Sequence, residues 1–239
     1  MPGPLPDDFL LTVVIPVFNE ERTLVEIVDA VQAERTRKEV VLIDDGSTDG
    51  SRRILDELAQ RDGVRVLVHE HNLGKGAALR TGFAAARGDV VVVQDADLEY
   101  DPEDYGALVQ PILADDADVV YGSRYLIDPD EPGRERDAFG HYFGNRLLTF
   151  FSNLLTGLNL TDMETCYKCA RRDALAAVRI RSHGFAVEPE LTAKLARSGA
   201  RIWETPIRYR GRTFADGKKI SWRDGLAALW AIVRFRFAD

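Results

Sequence analysis

Val90-Val91-Val92-Val93 runs directly into Gln94-Asp95-Ala96-Asp97, and this junction carries the most chemical information in the chain. A continuous β-branched run reads as a strand buried on both faces, as in a parallel sheet covered by helices. Asp95 and Asp97 then stand at its carboxyl end, the place where open α/β sheets bind ligands. Paired carboxylates in that position suit a hard divalent cation, Mg²⁺ or Mn²⁺, and such cations usually accompany phosphates. An isolated Asp-x-Asp would read as an acidic turn closing a strand, so the surrounding loops decide the matter.

Two further loops fall at the ends of expected strands: Pro16-Val17-Phe18-Asn19-Glu20 and Asp44-Asp45-Gly46-Ser47. In a parallel sheet all three converge on one rim. Asp44 or Asp45 can accept hydrogen bonds from a base N–H or a ribose hydroxyl. Gly46 permits a tight turn, and backbone N–H groups at the following helix start attract anions. Gly74-Lys75-Gly76 lacks the upstream Gly and the following Ser/Thr of a Walker loop. Its glycines read as a device for close helix packing. Cys166 and Cys169 have the C-x-x-C spacing, but His69, His71, His141 and His183 show no ligand-like spacing to complete a zinc site. The two cysteines read as structural.

The elements that position these residues alternate. Strands are expected at 11–17, 40–43, 64–68, 90–93 and 119–121, with helices at 21–34, from the Asp45–Gly50 turn to about 60, 74–87 and 103–113. That is the pattern of an α/β fold with a doubly wound, mostly parallel, Rossmann-like sheet. After Arg124 the character changes. An apolar helix spans 139–158, another helix 187–198, and a strand follows near 201–204. The chain closes on an amphipathic helix, in which Trp222, Leu226, Leu229, Trp230, Val233 and Phe237 are interleaved with Arg223, Arg234 and Arg236. The 239 residues divide into a catalytic domain at 9–212 and, at 213–239, a basic lid segment followed by this C-terminal amphipathic helical extension. At 45% hydrophobic and 29% charged, the composition is that of a globular domain. A net charge of −8 argues against nucleic acid as a partner. From Arg201 onward nine basic residues face four acids, so this tail is +5 and the rest of the chain −13. A basic tail on an acidic body suits an anionic ligand or surface.

The chain resembles the family-2 glycosyltransferases of the GT-A fold. The residues that carry the likeness are 14–20, 44–49, Asn72-Leu73-Gly74-Lys75-Gly76-Ala77-Ala78, Asp95-Ala96-Asp97 and Gly122-Ser123-Arg124. Gly144-Asn145-Arg146, 161–168 (Thr-Asp-Met-Glu-Thr-Cys-Tyr-Lys) and the stretch from Gly211-Arg212-Thr213 through Gly217-Lys218-Lys219-Ile220 are most similar to the dolichyl- and polyprenyl-phosphate mannose synthases. Members often carry Gly where this chain has Cys166. The resemblance implies nucleotide contacts from Pro16, Val17, Asn19, Glu20, Asp44, Asp45 and Asp95, with Asp45 on the base. It implies metal ligation by Asp95 and Asp97. Glu99 is a third candidate, standing where mannose synthases tend to have Gln. It also implies a sugar donor, GDP-mannose or UDP-glucose, and a polyprenyl phosphate acceptor.

A phosphate monoester, with its second pKa near ~6, is largely ionised at neutral pH and needs charge neutralisation rather than a base. Arg124, Arg146, Arg212, Lys218 and Lys219 are the candidates, since Arg grips phosphate with two donors. Arg124 and Arg212, with Asp95 and Asp97, make up the expected catalytic set, and 212–219 would fold over the substrates as a lid. A sugar-hydroxyl acceptor would instead require a base, with Asp162 or Glu164 first in line. A nucleotidyltransferase of similar sheet would begin with a Gly-rich loop in place of Pro16-Val17-Phe18-Asn19-Glu20. No signal segment or spanning stretch of roughly 20 apolar residues is evident. A cytoplasmic, peripheral location is therefore expected, with the last helix lying in the membrane surface and a membrane partner protein or a homodimer as further partners.

Overall fold

The computed structural model describes residues 6, 8–126, 139–211 and 222–238; side chains are described from 143 onward in the fifth helix and from 225 onward in the last. Apolar runs become strands and the segments between them become helices. In order these are β1 (Leu11–Val17), α1 (Leu24–Ala33), β2 (Lys38–Asp44), α2 (Ser51–Leu58), β3 (Val64–Val68), α3 (Lys75–Ala85) and β4 (Val90–Val93). A short 3₁₀ turn (Pro102–Asp104) leads into α4 (Tyr105–Leu113) and β5 (Val119–Ser123). The second half contains α5 (Phe139–Thr156), β6 (Lys168–Arg171), α6 (Arg172–Ala176), α7 (Val187–Arg197), β7 (Ile202–Pro206) and α8 (Trp222–Phe237).

The seven strands form one sheet in the order β3-β2-β1-β4-β6-β5-β7. β1, β2, β3 and β4 are mutually parallel, as are β5 and β7, and β6 runs antiparallel between β4 and β5. The doubly wound, mostly parallel architecture is as expected. The antiparallel β6 is not among the strands expected from the sequence. It has only four residues and carries a buried lysine, so it lacks the apolar run that marks its neighbours. All four β4 valines are buried, as a strand covered on both faces requires.

The register places the site. Val17 pairs with Asp44, and Val14 with Val93, so the loops after β1, β2 and β4 leave the sheet side by side. The order reverses direction at β1, which is the switch point where such sheets open a crevice. At α3 the two glycines serve a close approach, but to a loop rather than to a helix. Gly74 has φ +91, and a Cβ on Gly74 or Gly76 would lie 2.4 Å from the His183 carbonyl or 2.2 Å from that of Ser182. The Gly76 N–H donates to the His183 carbonyl at 2.6 Å. This seats the segment before α7, and with it Glu188, against the start of α3. Gly76→Ala is therefore expected to destabilise the fold by about 1–3 kcal/mol in denaturant unfolding. Gly144→Ala, on an α5 face with nothing within 4 Å, should be neutral or slightly stabilising.

Candidate functional site

The rim after β1 and β2 is stitched by hydrogen bonds that use the side chains of one loop on the backbone of the other. Asn19, at φ 57, donates its N–H to Ser47 Oγ at 3.1 Å and accepts the Thr48 N–H on Oδ1 at 2.8 Å. The Glu20 N–H donates to Ser51 Oγ at 2.9 Å. Asp44 accepts the Ser47 N–H at 2.9 Å and stands 3.5 Å from Arg52. Asp45 accepts the N–H groups of Leu73 and Gly74 at 3.0 and 2.7 Å, and His69 Nδ1 lies 2.7 Å away. Pro16, Val17, Asn19, Glu20, Asp44 and Asp45 are thus brought together. Asp45 is buried, and its visible role is to lock the loop before α3 to the end of β2.

The acidic motif follows β4. Asp95 sits beside the ammonium of Lys75, 3.0 Å from Oδ1. Lys75 also pairs with Glu188 at 3.2 Å, and Glu188 in turn meets Lys168 at 2.5 Å. Burial alone would lower the Lys75 pKa, but the charges of Asp95, Cys166 and Glu188 raise it well above normal, so it stays cationic. Glu188 and Lys168 carry no local mark as partners, because α7 and β6 are distant from α3 in the chain. Asp97 Oδ1 accepts the Glu99 N–H at 3.2 Å, and the turn runs through Leu98 at φ 63. Glu99 Oε2 accepts from the Tyr209 hydroxyl at 3.1 Å, and its carbonyl from the Arg210 N–H at 2.9 Å.

Among the described residues no three His, Cys, Asp or Glu side chains converge as a metal-ligand set, so Asp95, Asp97 and Glu99 do not form one between them. Glu99 is instead tied to Tyr209, which precedes the basic segment. A sparse pair of hard carboxylate oxygens still fits Mg²⁺ or Mn²⁺, which take their remaining ligands from phosphate and water. Arg212, Lys218 and Lys219 lie outside the described residues.

Across the rim, Arg124 follows β5. Its Nε and Nη2 donate to Asp162 at 2.7 and 2.8 Å, and its backbone N–H also reaches that carboxylate at 3.1 Å. Asp162 is 0% exposed and accepts a fourth bond from Asn145 Nδ2 at 2.7 Å. Burial would raise its pKa, yet Arg124 and Asn145 hold it below the usual carboxylate value. An ionised carboxylate whose oxygens are met by four donors is a weak base, so of the two candidate bases Asp162 is the poorer placed. Arg146 Nη1 donates to the Thr161 carbonyl at 3.4 Å, so Arg124 and Arg146 flank the same two residues. Glu164 behaves differently. Burial first, and then the nearby Glu188, push its carboxyl up to about 7. Cys166 and Cys169 are buried free thiols, consistent with a structural role.

Residues 12–179 match the family described as glycosyl transferase family 2. The chain belongs to that family. It is 36% identical over 188 residues to undecaprenyl-phosphate 4-deoxy-4-formamido-L-arabinose transferase of Pseudomonas paraeruginosa, across 75% of this chain and 52% of that protein. It is 30% identical over 232 residues to the low-salt glycan biosynthesis hexosyltransferase Agl6 of Haloferax volcanii, across 96% of this chain and 53% of that one. The chain therefore spans about half the length of these curated relatives. Glucosyl-3-phosphoglycerate synthase of Mycobacterium tuberculosis, crystallised with Mn²⁺, uridine diphosphate and phosphoglyceric acid, shares the fold. Its TM-score is 0.72 at 21% identity, over 97% of this chain and 80% of that one.

In this family-2 glycosyltransferase the unusual carboxyl gives a pH signature. Glu164 binds its proton more tightly folded than unfolded, so folding is favoured below the unfolded pKa and the advantage fades as pH rises through about 7. Glu164→Gln removes the charge that is disfavoured at high pH. It should stabilise the protein at pH 8 by on the order of 2 kcal/mol relative to its effect at pH 5, as read by thermal unfolding at both values.

Proposed function

We propose that the protein transfers a hexose from a nucleotide sugar to a polyprenyl phosphate, with inversion at the anomeric carbon. The observation that carries the acceptor class is the commitment of Asp162 to Arg124. The rim opposite the acidic motif presents a fixed cation, with Arg146 beside it, and a phosphate nucleophile requires a cation rather than a base. The names of the similar undecaprenyl-phosphate transferases support the same acceptor. The family resemblance favours mannose from GDP-mannose, and UDP-glucose is the competing donor.

In this reading the loops around Asn19, Asp44 and Asp45 hold the nucleoside. Asp97, with Asp95 beside it, would hold Mg²⁺ or Mn²⁺ against the diphosphate. The bound ion supplies Lewis-acid stabilisation of the departing nucleoside diphosphate. Lys75 fixes Asp95 and adds positive charge behind the diphosphate. Arg124 aligns the acceptor phosphate for attack from the face opposite the leaving group. Arg212, Lys218 and Lys219 complete the charge on the acceptor side.

The acceptor's hydrocarbon tail calls for a lipid surface, and α5 and α8 supply one. On α5 the fully buried residues are the polar Asn145, Thr149 and Ser152, with Leu148 and Leu155 partly buried against the core beside them, while Phe143, Leu147, Phe150 and Leu154 face out, Phe143 at 65% exposure. On α8, Ala228, Ala231, Ile232 and Phe235 pack inward and Leu226, Trp230, Val233 and Phe237 face out, Trp230 at 66%. On both helices a row of large apolar side chains is left facing outward, which suits an apolar exterior. The exposed arginines Arg146 and Arg234 on these helices suit anionic headgroups. No described helix is long and apolar enough to cross a membrane. In this reading the surface lies on lipid, at the cytoplasmic face.

Two measurements test these assignments. With Mn²⁺ or Mg²⁺, a short polyprenyl phosphate should accept sugar from GDP-mannose rather than UDP-glucose, and Asp97→Ala should lower the rate by about 10²-fold or more. Product from UDP-glucose alone would reassign the donor, and product only with a hydroxyl acceptor would reject the phosphate reading. Trp230→Glu combined with Phe237→Glu should abolish co-sedimentation with phosphatidylglycerol vesicles while circular dichroism stays unchanged. These point variants are a cleaner test than removing 220–239, since α8 also buries Ile232 and Phe235.

A further inference from the structure

The segment from Thr161 to Lys168 is matched almost atom for atom. The N–H groups of Thr161 and Asp162 donate to Glu204 at 2.7 and 2.9 Å, and that of Met163 to Thr149 Oγ1 at 3.1 Å. The carbonyls of Met163 and Thr165 receive Lys168 Nζ at 3.0 and 2.5 Å. The Thr165 hydroxyl donates to the Gly122 carbonyl at 2.6 Å, and the Cys166 N–H donates to the Tyr100 hydroxyl at 3.1 Å. One group is left out. Glu164 Oε1 is buried with no hydrogen-bond partner; among the described residues Arg65 Nε and Glu188 Oε1 are the others, but Glu188 Oε1 has the Lys75 ammonium 3.2 Å away. Two of the three belong to this one cluster.

A buried carboxyl oxygen without a donor costs free energy, and such a group in a native site calls for an explanation. Glu164 is within electrostatic reach of Glu188, Lys168, Arg124 and Asp162, and in the chain it stands between Asp162, held by Arg124, and Cys166, whose side chain meets Asp95 of the acidic motif. It therefore stands between the charged set behind the acidic motif and the cation assigned to the acceptor phosphate. The group that lies between a donor diphosphate and an acceptor phosphate is the sugar being transferred. A phosphate would be repelled by Glu164 and Glu188, whereas sugar hydroxyls are neutral and donate hydrogen bonds.

We propose that Glu164 is the residue that reads the transferred sugar, its unpartnered oxygen accepting a hydrogen bond from a ring hydroxyl of the donor. This rests on the glycosyl-transfer reading above, and it deepens that reading by assigning donor specificity to a side chain outside the acidic motif. A site with a buried polar group aimed at a substrate hydroxyl rejects analogues that leave the group unpaired. Donors whose hydroxyl is missing or inverted at that position should bind poorly.

The test is calorimetric and needs no acceptor. Wild type, Glu164→Gln and Glu164→Ala are titrated with GDP-mannose, UDP-glucose, GDP and UDP in the presence of Mn²⁺. The wild type should bind one nucleotide sugar more tightly than its nucleoside diphosphate. Glu164→Ala should lose about tenfold on that nucleotide sugar and less than about twofold on the diphosphate. The Gln variant, whose amide oxygen still accepts, should retain most of the difference. Equal losses on both ligands, or no loss on either, would overturn the assignment while leaving glycosyl transfer intact. Unchanged binding with a turnover defect would give Glu164 a proton-transfer role and overturn it as well. Failure of the wild type to bind any nucleotide sugar would reject the functional reading itself, and the inference with it.

Discussion

The ion pair between Arg124 and Asp162 is the interaction on which the rim after β5 depends. A carboxylate with no exposure to water is tolerable only when its lone pairs are met by donors. Here the donors come from β5, through the side chain and backbone of Arg124, and from α5, through Asn145. The same stretch is held from a third direction by Glu204 of β7, which takes the N–H groups of Thr161 and Asp162. Removing any one partner would strand a buried charge, so the three elements are held in a single arrangement. The guanidinium is also framed by Tyr125 and Tyr209, whose ring centres lie 5.5 and 5.1 Å from it. Its direction is thereby set before any substrate arrives.

This constraint explains the odd polarity of α5. A helix on the surface of a soluble domain normally turns apolar residues inward. In α5 the inward positions are needed for Asn145, which meets Asp162 and Tyr125, for Thr149, which meets Met163, and for Asn153, which brackets Leu160. The helix serves as a polar clamp on 161–163; Leu148 and Leu155 share its inner side, and Phe143, Leu147, Phe150 and Leu154 are left outside. The clamp on 161–163 and the outward apolar row are therefore two faces of one helix, and a change in its rotation would disturb both.

The donor half is organised by alternating charge. Asp95, Lys75, Glu188 and Lys168 form a chain from β4 through α3 and α7 to β6. Each buried charge has a partner of opposite sign, so the chain as a whole is nearly neutral although its members are desolvated. The glycines at the start of α3 make the chain possible, since only bare backbone lets Ser182 and His183 come close enough to bring α7 to Lys75. The reading of Gly74-Lys75-Gly76 as a packing device was right in kind. Its partner is an irregular segment, which no periodicity in the sequence could reveal.

What was legible in the chain follows from the range of the forces involved. The parallel strands announce themselves through local apolar runs, and the three rim loops through residue types at strand ends, so Asp44, Asp45, Asp95 and Asp97 fell where expected. The rest depended on contacts between distant segments. Glu188 carries no local mark of its pairing with Lys75, because the two meet only after α3 and α7 pack on the sheet. Asp162 and Glu164 looked equivalent as candidate bases, two carboxylates separated by one residue. Folding makes them opposites: Asp162 is surrounded by four donors and kept ionised, whereas Glu164 is left with a bare oxygen and a raised pKa. The sequence places both acids in the loop, but only the geometry of the donors around them decides which one is fully paired within the protein and which keeps an unpartnered oxygen.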